Sequence, residues 1–333
     1  MEIPGAKELE QKVFAITNEK EFETIALDIY QFQFENNPVY QSYCTAISKK
    51  PEVVRQLTDI PFLPISFFKT HKVVTTSFDP RLVFKSSGTT ATVPSNHYLR
   101  DVELYIQSFS KCFEAFYGNI KEYCIIGLLP SYLERGNSSL IFMVDYLIKQ
   151  SGHEESGFYL YDFKKLDQVL KKIEASDQRA ILFGVTYALL DFGQQYPQRL
   201  SKTMVMETGG MKGRRKEMTK SELYEYLRSS FGVDHIYSEY GMTELLSQAY
   251  GIDGLYQSPP WMKILLRDET DPFYVYDFPG DQSGAINIID LANVYSCSFI
   301  ASEDIGKTSS QGGFEVLGRM DHSDIRGCSL LTI

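Results

Sequence analysis

The stretch Phe84–His97, FKSSGTTATVPSNH, strings hydroxyl residues around a glycine after the apolar-rich RLVFK. Ser86, Ser87, Thr89 and Thr90 supply four hydroxyls, and Gly88 lets a ligand approach the backbone closely, which suits the holding of phosphate oxygens. The same composition also serves as a helix-capping loop. It is not G-x-x-x-x-G-K-[ST], so a Walker-type NTPase is disfavoured. A second stretch, YSEYGMTE (Tyr237–Glu244), offers an aromatic face at Tyr240, a close approach at Gly241, a hydroxyl at Thr243 and a carboxylate at Glu244. A tyrosine can stack on a purine and a carboxylate can hold Mg²⁺; the alternative is a strand-to-helix turn capped by Thr243.

Three further clusters follow the same logic. METGG (206–210) ends a strand pattern with Gly209 and Gly210, where something packs closely. In SEDIG (302–306), Asp304 on a loop is suited to accept both hydroxyls of a ribose, and Arg319 supplies charge to ribose or phosphate. Cys328 lies just behind Arg326 and Gly327; nearby positive charge lowers a thiol pKa, and the thiolate is the attacking form. Its alternative is a small buried apolar residue. Cys112 and Cys124 read as core, and Cys297 as an alternating strand position.

Positioning these residues requires elements that bring distant segments together. Residues 1–80 read as a helical segment packed on the core, closing on IPFLPISFFK, where Pro61 and Pro64 forbid a continuous helix. Val102, Tyr105, Phe109, Cys112, Phe113 and Phe116 recur at helical spacing, so the hydroxyl loop joins a strand to a helix. Strands over 123–130, 157–162, 179–186, 203–210 and 233–241 alternate with helices over 138–150, 164–174 and 219–232. That alternation predicts an α/β fold with a doubly wound, mostly parallel sheet over 81–254, binding its ligand at the strand carboxyl ends. After residue 255 short strands broken by turns predict a smaller β-rich subdomain over 255–333.

Composition narrows the classes. With 43 acids against 33 bases the net charge is −10, which argues against a general grip on nucleic acid or anionic membranes, although Lys212, Arg214, Arg215 and Lys216 form a local basic cluster. No apolar run reaches the length of a membrane span and the N-terminus lacks a signal-peptide core, so the expected location is cytoplasmic. Five scattered cysteines without a C-x-x-C pair predict free thiols.

In order, S-S-G-T-T, Y-G-M-T-E, E-D-I-G and G-R-M-D resemble the motif set of the adenylate-forming acyl and aryl ligases, over residues 84–321. IPFLPISFFK, LLPSYLERGNSSLIFMV and GRMDHSDIRGCSLL resemble, within that superfamily, the acyl-protein synthetases of the bacterial bioluminescence fatty-acid reductase. The resemblance implies the large N-terminal domain of adenylate-forming enzymes, with MgATP activating a carboxylic acid, a fatty acid in that family, as its adenylate. It implies that Ser86, Ser87, Gly88, Thr89 and Thr90 embrace the ATP phosphates, Gly209 and Gly210 line the adenine, and Tyr240 with Gly241 stacks on it. Thr243 and Glu244 would serve phosphate and Mg²⁺, Asp304 and Arg319 the ribose, and Cys328 would take the acyl group for a partner reductase or acyltransferase.

Two departures stand out. Ala91 and Asn96 occupy the places of the usual loop glycine and lysine, and the chain ends twelve residues past Asp321, so the mobile C-terminal domain and its lysine are expected to be absent. The missing charge would fall to Arg214, Arg215 or Mg²⁺. Two other readings remain: an acyl- or aryl-CoA ligase of the phenylacetate type, and a non-catalytic nucleotide- or acyl-binding partner protein.

Overall fold

The computed structural model describes residues 5–86, 93–130, 137–209, 218–277, 283–310 and 312–320. Its strands are β1 (Leu63–Pro64), β2 (Leu82–Lys85), β3 (Asn96–Leu99), β4 (Tyr123–Leu128), β5 (Gly157–Phe158), β6 (Arg179–Gly184) and β7 (Thr203–Glu207). They continue as β8 (Tyr237–Tyr240), β9 (Ala249–Ile252), β10 (Leu255–Gln257), β11 (Met262–Arg267), β12 (Ser283–Asp290), β13 (Phe299–Thr308) and β14 (Phe314–Arg319). Every residue of β4 is buried, as is all of β6 beyond Arg179, the pattern of strands covered on both faces. The helices that follow start on side-chain caps: Asp101 before Val102–Tyr117, Ser138 before Ser139–Ser151, Asp162 before Phe163–Glu174, and a Thr219/Glu222 capping box before Lys220–Phe231.

The α/β fold class holds, with one large sheet at its centre. Its order is β11-β12-β13-β14-β10-β9-β8-β7-β6-β4-β5, with β1 attached to β13. From β5 to β8 neighbours run parallel in the doubly wound manner, and from β8 to β11 they run antiparallel. The expected predominance of parallel pairing is therefore confined to one half, and the strands beyond residue 255 extend the same sheet. Strand order reverses between β4 and β6, the kind of switch point at whose carboxyl ends ligands bind in open α/β sheets.

Several elements differ from the sequence reading. The hydroxyl loop joins two antiparallel strands, β2 and β3, which form their own two-stranded sheet, with Phe84 opposite His97. The amphipathic helix starts only after that hairpin, at Val102. Four residues of β3 are too few for an alternation to declare itself. Thr186–Gln195 is a helix that the sequence reading did not assign: seven of its ten residues are buried, and the others, the polar Asp191, Gln194 and Gln195, come only in its second half. Thr243 caps no helix, Asp304 sits inside β13 rather than on a loop, and Cys297 is a buried residue preceding β13. FYVYDF contributes a single bridge, Val275 to Arg267.

The N-terminal helices Ala6–Val13, Glu19–Asn36 and Pro38–Ala46 are fastened to the loop before β13 by buried amides. Gln33 Nε2 donates to the carbonyls of Asn293 and Val294, each at 3.0 Å, and Asn37 Nδ2 donates to Ser296 O at 2.9 Å. At the end of β12, fully buried Asp290 accepts the Leu246 N–H at 2.7 Å, the Ser247 N–H at 3.0 Å and the Ser247 hydroxyl at 2.6 Å. This fixes the connection after the YGMTE segment. Asp290→Ala strands two buried backbone donors, so it should cost about 2–4 kcal/mol in urea unfolding. A loss below about 1 kcal/mol would contradict that account.

Candidate active site

Strand alternation on β8 sends Ser238 and Tyr240 to one face, and Tyr237 and Glu239 to the other. On the first face Tyr240 is 9 % exposed, and its hydroxyl donates to Asp304 Oδ2 at 2.8 Å. Its ring lies 5.5 Å from Phe314 and 5.8 Å from Tyr256, centroid to centroid. Burial, with Asp304 beside it, pushes the phenol pKa well above its ordinary value. Asp304 stands opposite Arg319 in the β13/β14 register, with Arg319 Nε 3.7 Å from Asp304 Oδ1 and Arg319 Nη2 donating to Glu303. Arg319's side chain is only 8 % exposed, yet Nη1 has no hydrogen-bond partner among the described residues. A buried guanidinium edge left open beside a carboxylate and a tyrosine fits an oxyanion with hydroxyls next to it, such as a ribose and phosphate.

The hairpin meets this site through residues that the sequence reading passed over. Ser86 and Ser95 close the base of the loop: the Ser95 N–H donates to Ser86 Oγ at 2.8 Å and the Ser86 N–H to Ser95 O at 3.1 Å. Ser87, Gly88, Thr89, Thr90 and Ala91 lie outside the described residues, as do Gly210, Lys212, Arg214, Arg215, Lys216 and Cys328. His97, buried on β3, sets Nδ1 2.8 Å from Thr243 O and Nε2 3.1 Å from Asn293 Oδ1. Asn293 Nδ2 faces the carbonyls of Glu244 and Cys297, which fixes Oδ1 toward the ring. Both ring nitrogens thus face oxygen acceptors, while burial pushes the imidazole pKa down; a neutral ring donates to only one of them. Through His97 and Asn293 the hairpin is tied to Thr243 and to the fully buried Glu244.

At the carboxyl end of β7, buried Glu207 accepts the Thr186 hydroxyl and the Gly209 N–H, the latter at 2.6 Å. Gly209 has φ 76°, a conformation that favours glycine. Lys220, at the start of its helix, donates to Tyr256 Oη at 3.3 Å and lies 4.6 Å from that ring's centroid; burial pushes its pKa down. Tyr240, Asp304 and Arg319 are thus in one place, with Thr243 and Glu244 at the end of the same strand. None of the described residues group three metal-ligating side chains.

Comparison with known proteins settles the family. The model of the LuxE acyl-protein synthetases matches residues 9–332. The chain belongs to that family, and is a ligase. A long-chain-fatty-acid–luciferin-component ligase of Vibrio harveyi is 22% identical over 330 residues, covering 90% of this chain and 84% of its own length. Among solved structures, the luciferase-like enzyme of the mealworm Zophobas morio is similar at TM-score 0.52 and 16% identity, over 75% of this chain and 60% of its own. A malonyl-CoA ligase bound to methylmalonyl-CoA and AMP is similar at TM-score 0.51 and 15% identity, over 77% and 58%. The chain thus spans about three-fifths of the length of those structures, and the likeness to them is one of fold. Among the described residues, no helix of this family member is long and apolar enough to cross a membrane.

The opposite face of β8 in this acyl-protein synthetase family member carries Glu239, which lies inside YSEYGMTE but was given no role there. Burial, with Glu207 adding to it, pushes its carboxyl up to about 8. The unfolded chain ionises the same group near 4.5. Between those values unfolding releases a proton, so this group's contribution to stability is present at low pH and is lost as pH rises through about 8. Glu239→Gln removes that dependence. By calorimetry, the variant's Tm relative to the parent should rise by several degrees between about pH 5 and about pH 8. A pH-independent difference would place the ionisation elsewhere.

Proposed function

We propose that the chain activates a carboxylic acid with MgATP and carries the acyl group as a thioester on Cys328 for a partner protein. The observation that carries the nucleotide half is the meeting of Tyr240, Asp304 and Arg319, three residues from separate strands, with a guanidinium edge left open. In this reading Asp304 accepts the ribose hydroxyls, and Arg319 directs charge to the ribose and phosphate. Tyr240 and Gly241 bound the adenine with Gly209 and Gly210, and Ser86 to Thr90 cradle the phosphates. Glu244 would hold Mg²⁺, whose charge would offset that of the phosphates, with Thr243 beside them.

The chemistry is two displacements. A carboxylate oxygen attacks the α-phosphorus, and the bond to the bridging oxygen of pyrophosphate breaks. The Cys328 thiolate then attacks the acyl carbon, the bond from that carbon to the AMP oxygen breaks with its electron pair going to AMP, and a thioester remains. The family match supports a protein acceptor over release of a CoA thioester, and a long-chain acid as substrate is supported by the Vibrio harveyi relative's name. The partner that takes the acyl group is then a reductase or acyltransferase.

Cys328→Ala should abolish stable labelling of the protein by radiolabelled acid and ATP while leaving acid-dependent pyrophosphate exchange intact. Labelling that persists would remove Cys328 from the pathway, and exchange absent for every acid would favour a binding protein. Asp304→Ala should raise the KM for ATP in the exchange assay roughly tenfold or more, as expected when a charged hydrogen-bond acceptor is lost.

A further inference from the structure

The face of β8 turned away from Tyr240 is the less covered one: Tyr237 and Glu239 are half-buried, whereas Ser238 and Tyr240 are buried. Glu239 stands directly opposite Tyr250 in the β8/β9 register, so the two side chains share that face. The aromatic rings of the helix Val102–Tyr117 form its wall, with Tyr117 5.1 Å and Phe116 5.4 Å from the Tyr250 ring. An apolar wall would suit a plain alkyl chain, but the floor is polar. Tyr250 is 2 % exposed and Gln248 is 4 % exposed, and neither the Tyr250 hydroxyl nor Gln248 Oε1 has a hydrogen-bond partner among the described residues.

Glu239 joins that floor at short range. A Cβ added at Gly241 would lie 2.4 Å from Glu239 Oε1 and 3.5 Å from Gln248 Cγ, so the carboxyl is folded back beside Gln248 against the glycine. No hydrogen bond to the Glu239 carboxyl is made by the described residues. Three polar groups therefore gather on one face of a strand whose other face carries Tyr240 and whose end carries Thr243 and Glu244. They are rich in acceptors: an amide oxygen, a carboxyl and a phenol that can accept or donate.

Resting on the adenylation reading above, we infer that Glu239, Gln248 and Tyr250 form a specificity subsite for a carboxylic acid bearing a hydrogen-bond-donating substituent, hydroxyl or amino, on its chain. The acid's carboxylate must reach the phosphate end of β8, and the Tyr240 face is assigned to the nucleotide, so the chain of the acid runs along the Glu239 face. A bare alkyl chain there leaves buried polar groups unpaired, and a substituent that donates to them removes that penalty. Ionisation of Glu239 favours an amine, whereas its protonated form, held by burial up to about 8, favours a hydroxyl. Both share the donor chemistry.

The test is acid-dependent pyrophosphate exchange by the full chain, with unsubstituted, hydroxylated and amino-bearing acids of matched length. A substituted acid should exceed its plain counterpart roughly tenfold in kcat/KM, the ratio of about one buried hydrogen bond. Tyr250→Phe and Glu239→Leu should each erase that preference, read as the ratio of kcat/KM for the substituted and the plain acid; Tyr250→Phe guards against a folding defect in the glutamate variant. Glu239→Gln distinguishes the two donors, since it should reduce use of an amino acid far more than use of a hydroxy acid. A parent enzyme that prefers the plain acid overturns the subsite, as does a Tyr250→Phe variant with unchanged selectivity. Exchange with plain acids alone overturns the subsite and spares the adenylation reading; exchange with no acid of any kind overturns both.

Discussion

Everything that bears on chemistry in this fold depends on the alternation of one four-residue strand. β8 is the last of the parallel strands and the first to pair antiparallel, so it lies where the two halves of the sheet join. Because successive side chains point to opposite faces, Tyr240 reaches β13 and β14 while Glu239 reaches β9 and the helix behind it. A one-residue slip would exchange the two environments, placing a carboxyl among Phe314 and Tyr256 and a phenol beside Gly241. Register here therefore decides which side chain meets Asp304 and which lies opposite Tyr250.

That register is held from outside the strand. Asp290 accepts three donors from Leu246 and Ser247, and Asn293 bridges Glu244 O, Cys297 O and the His97 ring. Trp261 Nε1 adds hydrogen bonds to Ser108 and Ser247, linking the helix Val102–Tyr117 to the same segment. These groups are buried, so each is costly when unpaired, and the network favours one placement of the segment after β8. The hairpin that presents the hydroxyl loop enters this network through His97. Loop and strand end are thus coupled through a single imidazole.

The sequence made much of this legible, for identifiable reasons. Long helices with polar and apolar faces and fully apolar strands such as β4 declare themselves by period, and the order of Y-G-M-T-E, E-D-I-G and G-R-M-D, through the family resemblance it carries, led to Tyr240, Asp304 and Arg319, which do converge. What period does not reveal is a short helix whose first half is buried all round, as in Thr186–Gln195, or an element only four residues long, as in β3. Antiparallel extension of the sheet past β8 was hidden too, because short strands broken by turns read equally as a separate unit. His97 and Asn293 carry no motif: their importance lies in bonds across 146 and 196 residues of chain. Glu239 was quoted inside the motif, yet alternation alone could not say that its face would be lined with unpaired polar atoms.

The two faces of β8 also set how a two-substrate reaction has to be arranged. An acid and a nucleotide that bind on opposite sides of a strand can meet only past its carboxyl end, where Gly241 to Glu244 turn. A substrate chain engaged at Glu239 and a ribose engaged at Asp304 would each point their reacting ends to that turn, with no side chain of the strand between them. Orientation is then a property of the strand, fixed before either substrate binds, and this is the preorganisation that lowers the entropy cost of bringing two reactants together. The same geometry gives Gly241 its role. A side chain there would meet Glu239 Oε1 on the face opposite Tyr240, just where the chain leaves β8.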